Sequence, residues 1–514
     1  MINTNKSLIH IIVFIVILIN IFFFLNLDDI FLSGPQGIHF MRQTDSLSFA
    51  SRYFNNGFDF FNPQLFNLKN INGNAACEFP ITYYLTALLY SVFGKKIFIL
   101  KLLHYIIISI GIFHLFKLSL LLLKDYFYAI VISLFLFTST VFNYYSFNYL
   151  PDAPALGFTF IGWYFAFKYL IKEEEKNKTI LTAFIFFTIA SLIKVTYLIN
   201  PLSVIGFSLF SIIFNQKKTI ENGIAKKIIT YGIIGVFIVI AWNTYILYYN
   251  TLYNSSSFNT TALPIWSLTI NEIKSVWDHI TNYWHFSYFA KRSFYLLFLL
   301  LSLQVIFHKK TDSKLSLITL ILFLGAFAYF LLFYSQFKDH DYYFLTFIPL
   351  ITLVLINGIK TWQNIFNNRY LNIATKLAFT IVLISGLNYS KLTLANRNNK
   401  KVDYYSKMGL LINENSNSID SLNISNNSKF IIGPDPCQNG GLFFLNRMGW
   451  TIDLQEDITI NKINHYKDLG AEYLILTSDT SVFSTDTGNS TGKLILKGKG
   501  INIFKLENTT SNTE

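Results

Sequence analysis

Charged side chains are few in this chain. They make up 14% of its 514 residues, against 52% hydrophobic. A water-soluble protein of this length would expose more charge, so an ordinary soluble globule is excluded, in keeping with a mean hydropathy of +0.41. Cysteine is nearly absent. Cys77 and Cys437 are far apart in sequence and form no metal-binding pair. A single disulfide and two unrelated thiols are the alternatives. No basic helix or aromatic-basic platform accompanies the net charge of +12, so nucleic acid is not an expected partner. The lysines fall instead in short loops between apolar runs, as the positive-inside bias expects. The first apolar segment, Ser7–Leu27, lacks a small-residue cleavage site and reads as a retained span rather than a signal peptide. No internal repeat and no ladder of charges at mid-membrane depth is present, which argues against a transporter of lipid-linked sugars.

What the chain does have is apolar runs near the roughly 20 residues that cross a bilayer core. They recur through the first 390 residues or so and give about eleven spans. The fold class is a polytopic α-helical membrane protein. The inner loops are marked by Lys124, the mixed-charge run Lys172–Lys178, Lys217, Lys218, Lys226, Lys227, Lys309, Lys310 and Lys360. The expected organisation is a transmembrane domain over 1–390 with outer loops 28–96 and 250–291, followed by an extracytoplasmic domain over 391–514. Within the loops, Pro80–Phe93 and Ile270–Trp284 read as interfacial helices. From about Asn396 the apolar runs shorten and Asn, Ser and Gly take over. Lys429–Gly433 and Ala471–Ser478 read as buried strands, Ile460–Leu469 as a helix and Lys493–Leu506 as a hairpin, giving a small α/β domain.

The stretch Gly37–Pro63 is the centre of interest. Arg42, Gln43 and Asp45 fall within four residues, just beyond the first span, at the start of an amphipathic helix. Asp45 suits either a local pair with Arg42 or a helix cap, or a general base. Asp152, after Pro151 at the mouth of a span, suits a helix N-terminus or a second catalytic carboxylate. Lys194 lies inside a long apolar segment, where an ionisable group faces a cavity or a partner, or snorkels to water. Its functional reading is a point charge for a phosphate. His340 and the tyrosines after it, Tyr342 among them, lie on the same outer side. Glu78 and His285 are the candidate ligands of a divalent metal ion.

These segments carry a resemblance. HFMRQTDSLSFASRYFNNGFDFF, from His39, resembles the His-x-Trp-Arg-Gln-Thr-Asp segment of GT-C superfamily membrane glycosyltransferases, the glycosyltransferase family 39-like relatives of protein O-mannosyltransferases and lipid A aminoarabinose transferases. Glu78–Gly94 is similar to their Glu-x-Pro-x-x-x-Tyr helix, Asn148–Leu156 to their second acidic loop, and Lys338–Leu350 to their His-Asp-Tyr-Tyr segment. Met41 stands where Trp is usual, and Phe79 where the aminoarabinose transferases have Lys.

The resemblance implies a GT-C fold and a sugar donor on polyprenyl phosphate. It also implies inverting transfer, on the outer face of the plasma or inner membrane, to a protein, lipid or glycan acceptor. Asp45 would be the base and Asp152 the second acidic residue. The donor phosphate would fall to Arg42, Lys194, His340 and Tyr342, and any metal to Glu78 and His285. A polymerase or ligase of whole glycans on a lipid-linked donor is the alternative within the same geometry.

Overall fold

The computed structural model describes residues 4–172, 177–214, 220–258, 262–366, 368–398, 404–453, 456, 458–478 and 492–506. The centre of the mixed-charge run, 173–176, and Lys217 and Lys218 lie outside them. The chain divides into two compact units, each built from three separate segments. Unit one gathers Met1–Leu32, Lys101–Tyr245 and Thr260–Asn396; unit two gathers Ser33–Leu100, Ile246–Asn259 and Arg397–Glu514.

Helices dominate the first 398 residues. In chain order they are α1 (Thr4–Phe24), α2 (Phe40–Asn55), α3 (Ile81–Phe93), α4 (Phe98–Leu123), α5 (Tyr126–Phe135), α6 (Thr140–Ser146), α7 (Asp152–Lys172) and α8 (Asn177–Ile193). They continue with α9 (Ile199–Ile213), α10 (Asn222–Leu252), α11 (Ile270–His279), α12 (His285–Tyr288), α13 (Lys291–Ile306), α14 (Ser313–Leu332), α15 (Ile348–Ile365) and α16 (Arg369–Asn398). Among the described residues, six helical segments are long and apolar enough to cross a membrane, or up to eight if each of two bent pairs is one span. Each of the eleven expected spans corresponds to a helix or a bent pair. The remaining three fall on α1 and α8, whose apolar stretches are shorter, and on α7, which carries Asp152 and Lys168.

In unit one, α4 and α7 cross at a pair of glycines. A Cβ added to Gly111 would lie 2.4 Å from the Gly157 Cα, so only glycine permits this approach. The crossing fixes the helix that begins at Asp152. The segment expected as one straight span over Tyr126–Phe147 is bent by 85° between Thr138 and Thr140. Side chains mend the break. Ser139 Oγ accepts the Phe142 N–H at 3.1 Å, and Asn143 Nδ2 donates to the Phe137 carbonyl at 2.7 Å. One set of helix ends in this unit is tied by Lys376–Asp125 at 2.9 Å, Lys360–Asp312 at 2.7 Å and Asn364 to the Lys310 carbonyl at 2.8 Å. Lys310 and Lys360 are among the lysines expected to mark inner loops.

Unit two adds α17 (Lys407–Glu414), α18 (Ser416–Asp420), α19 (Gly440–Leu445) and α20 (Ile460–Asp468) to five strands. The strands are β1 (Lys429–Gly433), β2 (Gly449–Thr451), β3 (Ala471–Thr477), β4 (Gly492–Lys497) and β5 (Ile501–Leu506), in the order β2-β1-β3-β5-β4. β1 pairs in parallel with β2 and β3, and the β4–β5 hairpin continues the sheet antiparallel. Ile431, Trp450, Ile463, Leu474 and Leu476 fill its core. β2 is too short and too mixed in composition to have been read from the sequence.

Residues 66–68, from the segment between α2 and α3, extend this sheet. The Leu68 N–H donates to the Gly449 carbonyl at 2.7 Å, and the Gly449 N–H donates to the Phe66 carbonyl at 3.1 Å. Helix α2 packs on α3 and α19, with Phe49 stacked on Tyr83 and Phe40 on Phe444.

Candidate active site

Two clusters of charge, one in each unit, hold all but His285 of the residues that the sequence singled out. In unit two, α2 is preceded by His39 in the left-handed region, at φ 59°. Gln43, buried, holds this turn. Its Nε2 donates to the Gln36 and Ile38 carbonyls at 2.7 and 3.0 Å, and its Oε1 accepts the Gln36 N–H at 3.3 Å. Arg42 does not pair with Asp45 one turn on. Its Nη2 forms an ion pair with Glu78 and lies 3.3 Å from Cys77 Sγ, while its guanidinium sits 5.3 Å from the centre of the Phe258 ring. Tyr83 donates to the second Glu78 oxygen, and the Cys77 thiol donates to the first at 2.6 Å.

Asp45 is therefore left to a neutral partner. Its Oδ1 accepts from Asn439 Nδ2 at 2.8 Å. Among the described residues no hydrogen bond reaches Oδ2. Burial pushes the Asp45 carboxyl up to about 6, against the downward pull of Arg42 and the Asn439 amide. A carboxylate tuned into this range is a competent proton acceptor near neutrality.

In unit one, Asp152 opens α7 and Lys194 stands between α8 and α9. Lys194 Nζ lies 3.1 Å from Asp152 Oδ1 and over the rings of Tyr342 and Tyr343, 4.8 and 5.1 Å from their centres. His340 packs on both rings, at 5.2 and 5.8 Å. Tyr145 donates to Asp341 Oδ1 at 2.5 Å and packs edge-on against Tyr342. Tyr197 donates to the Asp152 carbonyl at 3.2 Å. The lysine sits against one carboxylate and two aromatic faces.

The structure gathers Asp152, Lys194, His340 and Tyr342 in one cluster, and Arg42, Asp45 and Glu78 in the other. His285 belongs to unit one, at the start of α12, and Glu78 to unit two. Sequence reasoning missed Asn439, Tyr145 and Asp341. Asp341 was legible as part of the His-Asp-Tyr-Tyr segment. Asn439 was one asparagine among many in the final domain. A metal is possible in this fold, but among the described residues no three His, Cys, Asp or Glu side chains gather as a ligand set. Both Glu78 oxygens already hold protein donors.

A family model described as dolichyl-phosphate-mannose-protein mannosyltransferase matches residues 78–246. A search of the curated proteins found no match. Among solved structures, ArnT from Cupriavidus metallidurans bound to undecaprenyl phosphate superposes with a TM-score of 0.63 at 10% identity, covering 97% of this chain and 98% of that one. The chain shares the ArnT fold. Apo ArnT gives 0.58 at 10% identity, with 98% of each chain covered. The oligosaccharyltransferase AglB from Archaeoglobus fulgidus, in complex with an inhibitory peptide and a dolichol-phosphate, gives 0.51 at 11% identity over 86% of this chain and 66% of that one. AglB has also been crystallised with Zn and sulfate. The likeness to ArnT extends the GT-C fold beyond the family match, into the final α/β domain.

Proposed function

We propose that this protein transfers a single sugar from a polyprenyl-phosphate donor to a protein, lipid or glycan acceptor, with inversion, on the non-cytoplasmic face of the membrane. The observation that carries this reading is Asp45: a buried carboxyl with one oxygen held by a neutral amide and its proton affinity raised to about 6. Its Oδ2 takes the proton as the acceptor hydroxyl attacks the anomeric carbon. The bond from that carbon to the phosphate oxygen breaks, and polyprenyl phosphate leaves. Arg42, Lys194, His340 and Tyr342 are the groups assigned to the donor phosphate. Asp152 keeps Lys194 in place and neutralised between turnovers.

A cavity of about 690 Å³ between α13, α14 and α15, lined by Phe298, Leu301, Phe323, Leu350 and Val354, supports a seat for the lipid tail. It shares Phe323 and Leu350 with a smaller cavity of about 280 Å³ that reaches Phe344, the neighbour of Tyr343. The sidedness rests on the lysines. Lys124, Lys226, Lys227, Lys309, Lys310 and Lys360 mark loops alternating with those that bear the candidate residues. In this reading the chain is a multi-pass protein of the plasma or inner membrane, and its final α/β domain is extracytoplasmic.

The test is turnover of a panel of polyprenyl-phosphate monosaccharides, mannose first, read as release of free polyprenyl phosphate. A lipid-linked oligosaccharide serves as the arm for the polymerase or ligase reading. Wild type is expected to consume a monosaccharide donor, and the Asp45→Asn protein to be inactive. Full activity of Asp45→Asn removes it as the base. A chelator arm on the same assay decides metal dependence, with Glu78 and His285 as the residues to substitute if activity falls.

A further inference from the structure

We propose that Asn439, in the final α/β domain, is a positioning residue for the catalytic base, aiming one oxygen of Asp45 at the acceptor by holding the other. The inference rests on the reading of Asp45 given above. It makes the final domain part of the catalytic apparatus rather than a cover.

The argument begins with an oddity of the loop after β1. Asn439 stands at the N-cap of α19, where asparagine is favoured because its side chain accepts a backbone N–H of the first turn. Here it makes no such bond. That duty has passed to Asp435, whose Oδ2 accepts the Gly441 N–H at 3.1 Å while its Oδ1 accepts the Cys437 N–H at 2.9 Å. With the helix start served from elsewhere, the Asn439 amide turns away from its own helix. Its Nδ2 meets Asp45 and its Oδ1 accepts the Asn67 N–H at 3.2 Å.

The two ends of this amide fix its orientation. Asp45 needs a donor and the Asn67 N–H needs an acceptor, so flipping the group would break both bonds. Asn67 is itself tied to the same loop, with its Nδ2 donating to the Gln438 carbonyl at 2.6 Å and to Thr451 Oγ1 at 3.1 Å. Asn439, Asn67 and Asp435 are all buried. The loop is also close-packed, since a Cβ on Gly441 would fall 2.8 Å from Asp435 Oδ2. The Asn439 amide is thus a preset donor on one Asp45 oxygen. It favours the ionised carboxylate and leaves Oδ2 to receive the proton.

The experiment compares Asn439→Asp, Asn439→Ser and Asp45→Asn with wild type in full-length protein. Turnover of the monosaccharide donor identified by the panel is followed from pH 5 to 9, with kcat and KM separated. Asn439→Asp is nearly isosteric and can still accept from Asn67, so the loop keeps its packing, but it sets a carboxylate against a carboxylate. It is expected to lower kcat about 10- to 100-fold and to move the acid limb of the pH profile up by about one unit. KM for the donor should stay unchanged. Asn439→Ser keeps a donor and is expected to recover part of kcat with a smaller shift. Thermal unfolding of each variant separates lost fold from lost positioning. A wild-type acid limb in both Asn439 variants, with Asp45→Asn inactive, overturns the positioning role. An active Asp45→Asn overturns the base reading itself.

Discussion

Asp45 and Asp152 are both acidic residues near the start of a helix, both buried, and both close in sequence to a plausible bland role. Their surroundings separate them. Asp152 faces Lys194 at 3.1 Å and behaves as a counter-ion. Asp45 has an arginine three residues before it, yet that arginine is drawn off by Glu78, and Asp45 is left with an amide. A cation beside a carboxylate stabilises its charge and dulls it as a base; burial with a neutral donor does the opposite. The comparison predicts the largest effect at Asp45. Asp45→Asn should lower kcat by roughly 10²- to 10⁴-fold, whereas Asp152→Asn should act mainly through donor KM. In wild type, activity should rise with pH through about 6, because the base must lose its proton and its affinity for that proton is raised. A profile flat down to pH 5 would break the contrast.

The next effect concerns the lysine. Lys194→Met removes the assigned phosphate contact and leaves Asp152 buried beside two tyrosines. We expect donor KM to rise about tenfold or more, and stability to fall by roughly 1–3 kcal/mol once the partial exposure of the lysine is allowed for. The double variant Asp152→Asn with Lys194→Met should regain part of that stability without regaining KM, because both charges of the pair are then gone. Unfolding temperature and donor KM, measured on all three variants, sharpen the distinction between a pair kept for the fold and a cation kept for the substrate. Equal KM in Lys194→Met and wild type would leave only the structural role.

Much of this was legible in the chain itself. Apolar runs and lysine-bearing loops gave the helices, since both follow from the bilayer rather than from tertiary detail. The strands at Lys429–Gly433 and Ala471–Thr477 and the final hairpin followed from short apolar runs between turn residues. The bend at Ser139 was not legible, because an apolar run reads the same straight or broken. The partners of Arg42 were not legible either. Sequence distance favours Asp45, but the guanidinium answers to Glu78, which lies just before α3, a contact set by packing. Asn439 was invisible for a similar reason. Its meaning depends on Asp435 taking over its cap.

The smallest effect tests why Gln43 sits between the arginine and the aspartate. Its side chain spans the turn at His39, bonding two carbonyls and one N–H before the helix begins. Gln43→Ala removes three hydrogen bonds to part-buried backbone groups of the turn, which should cost about 1–3 kcal/mol of stability. Because Gln43 touches neither Asp45 nor Glu78 through those bonds, the acid limb of activity should stay where it is in wild type. A shift of that limb would mean the turn itself aims Asp45. The asymmetry between the two acids would then begin at His39 rather than with the amide of Asn439.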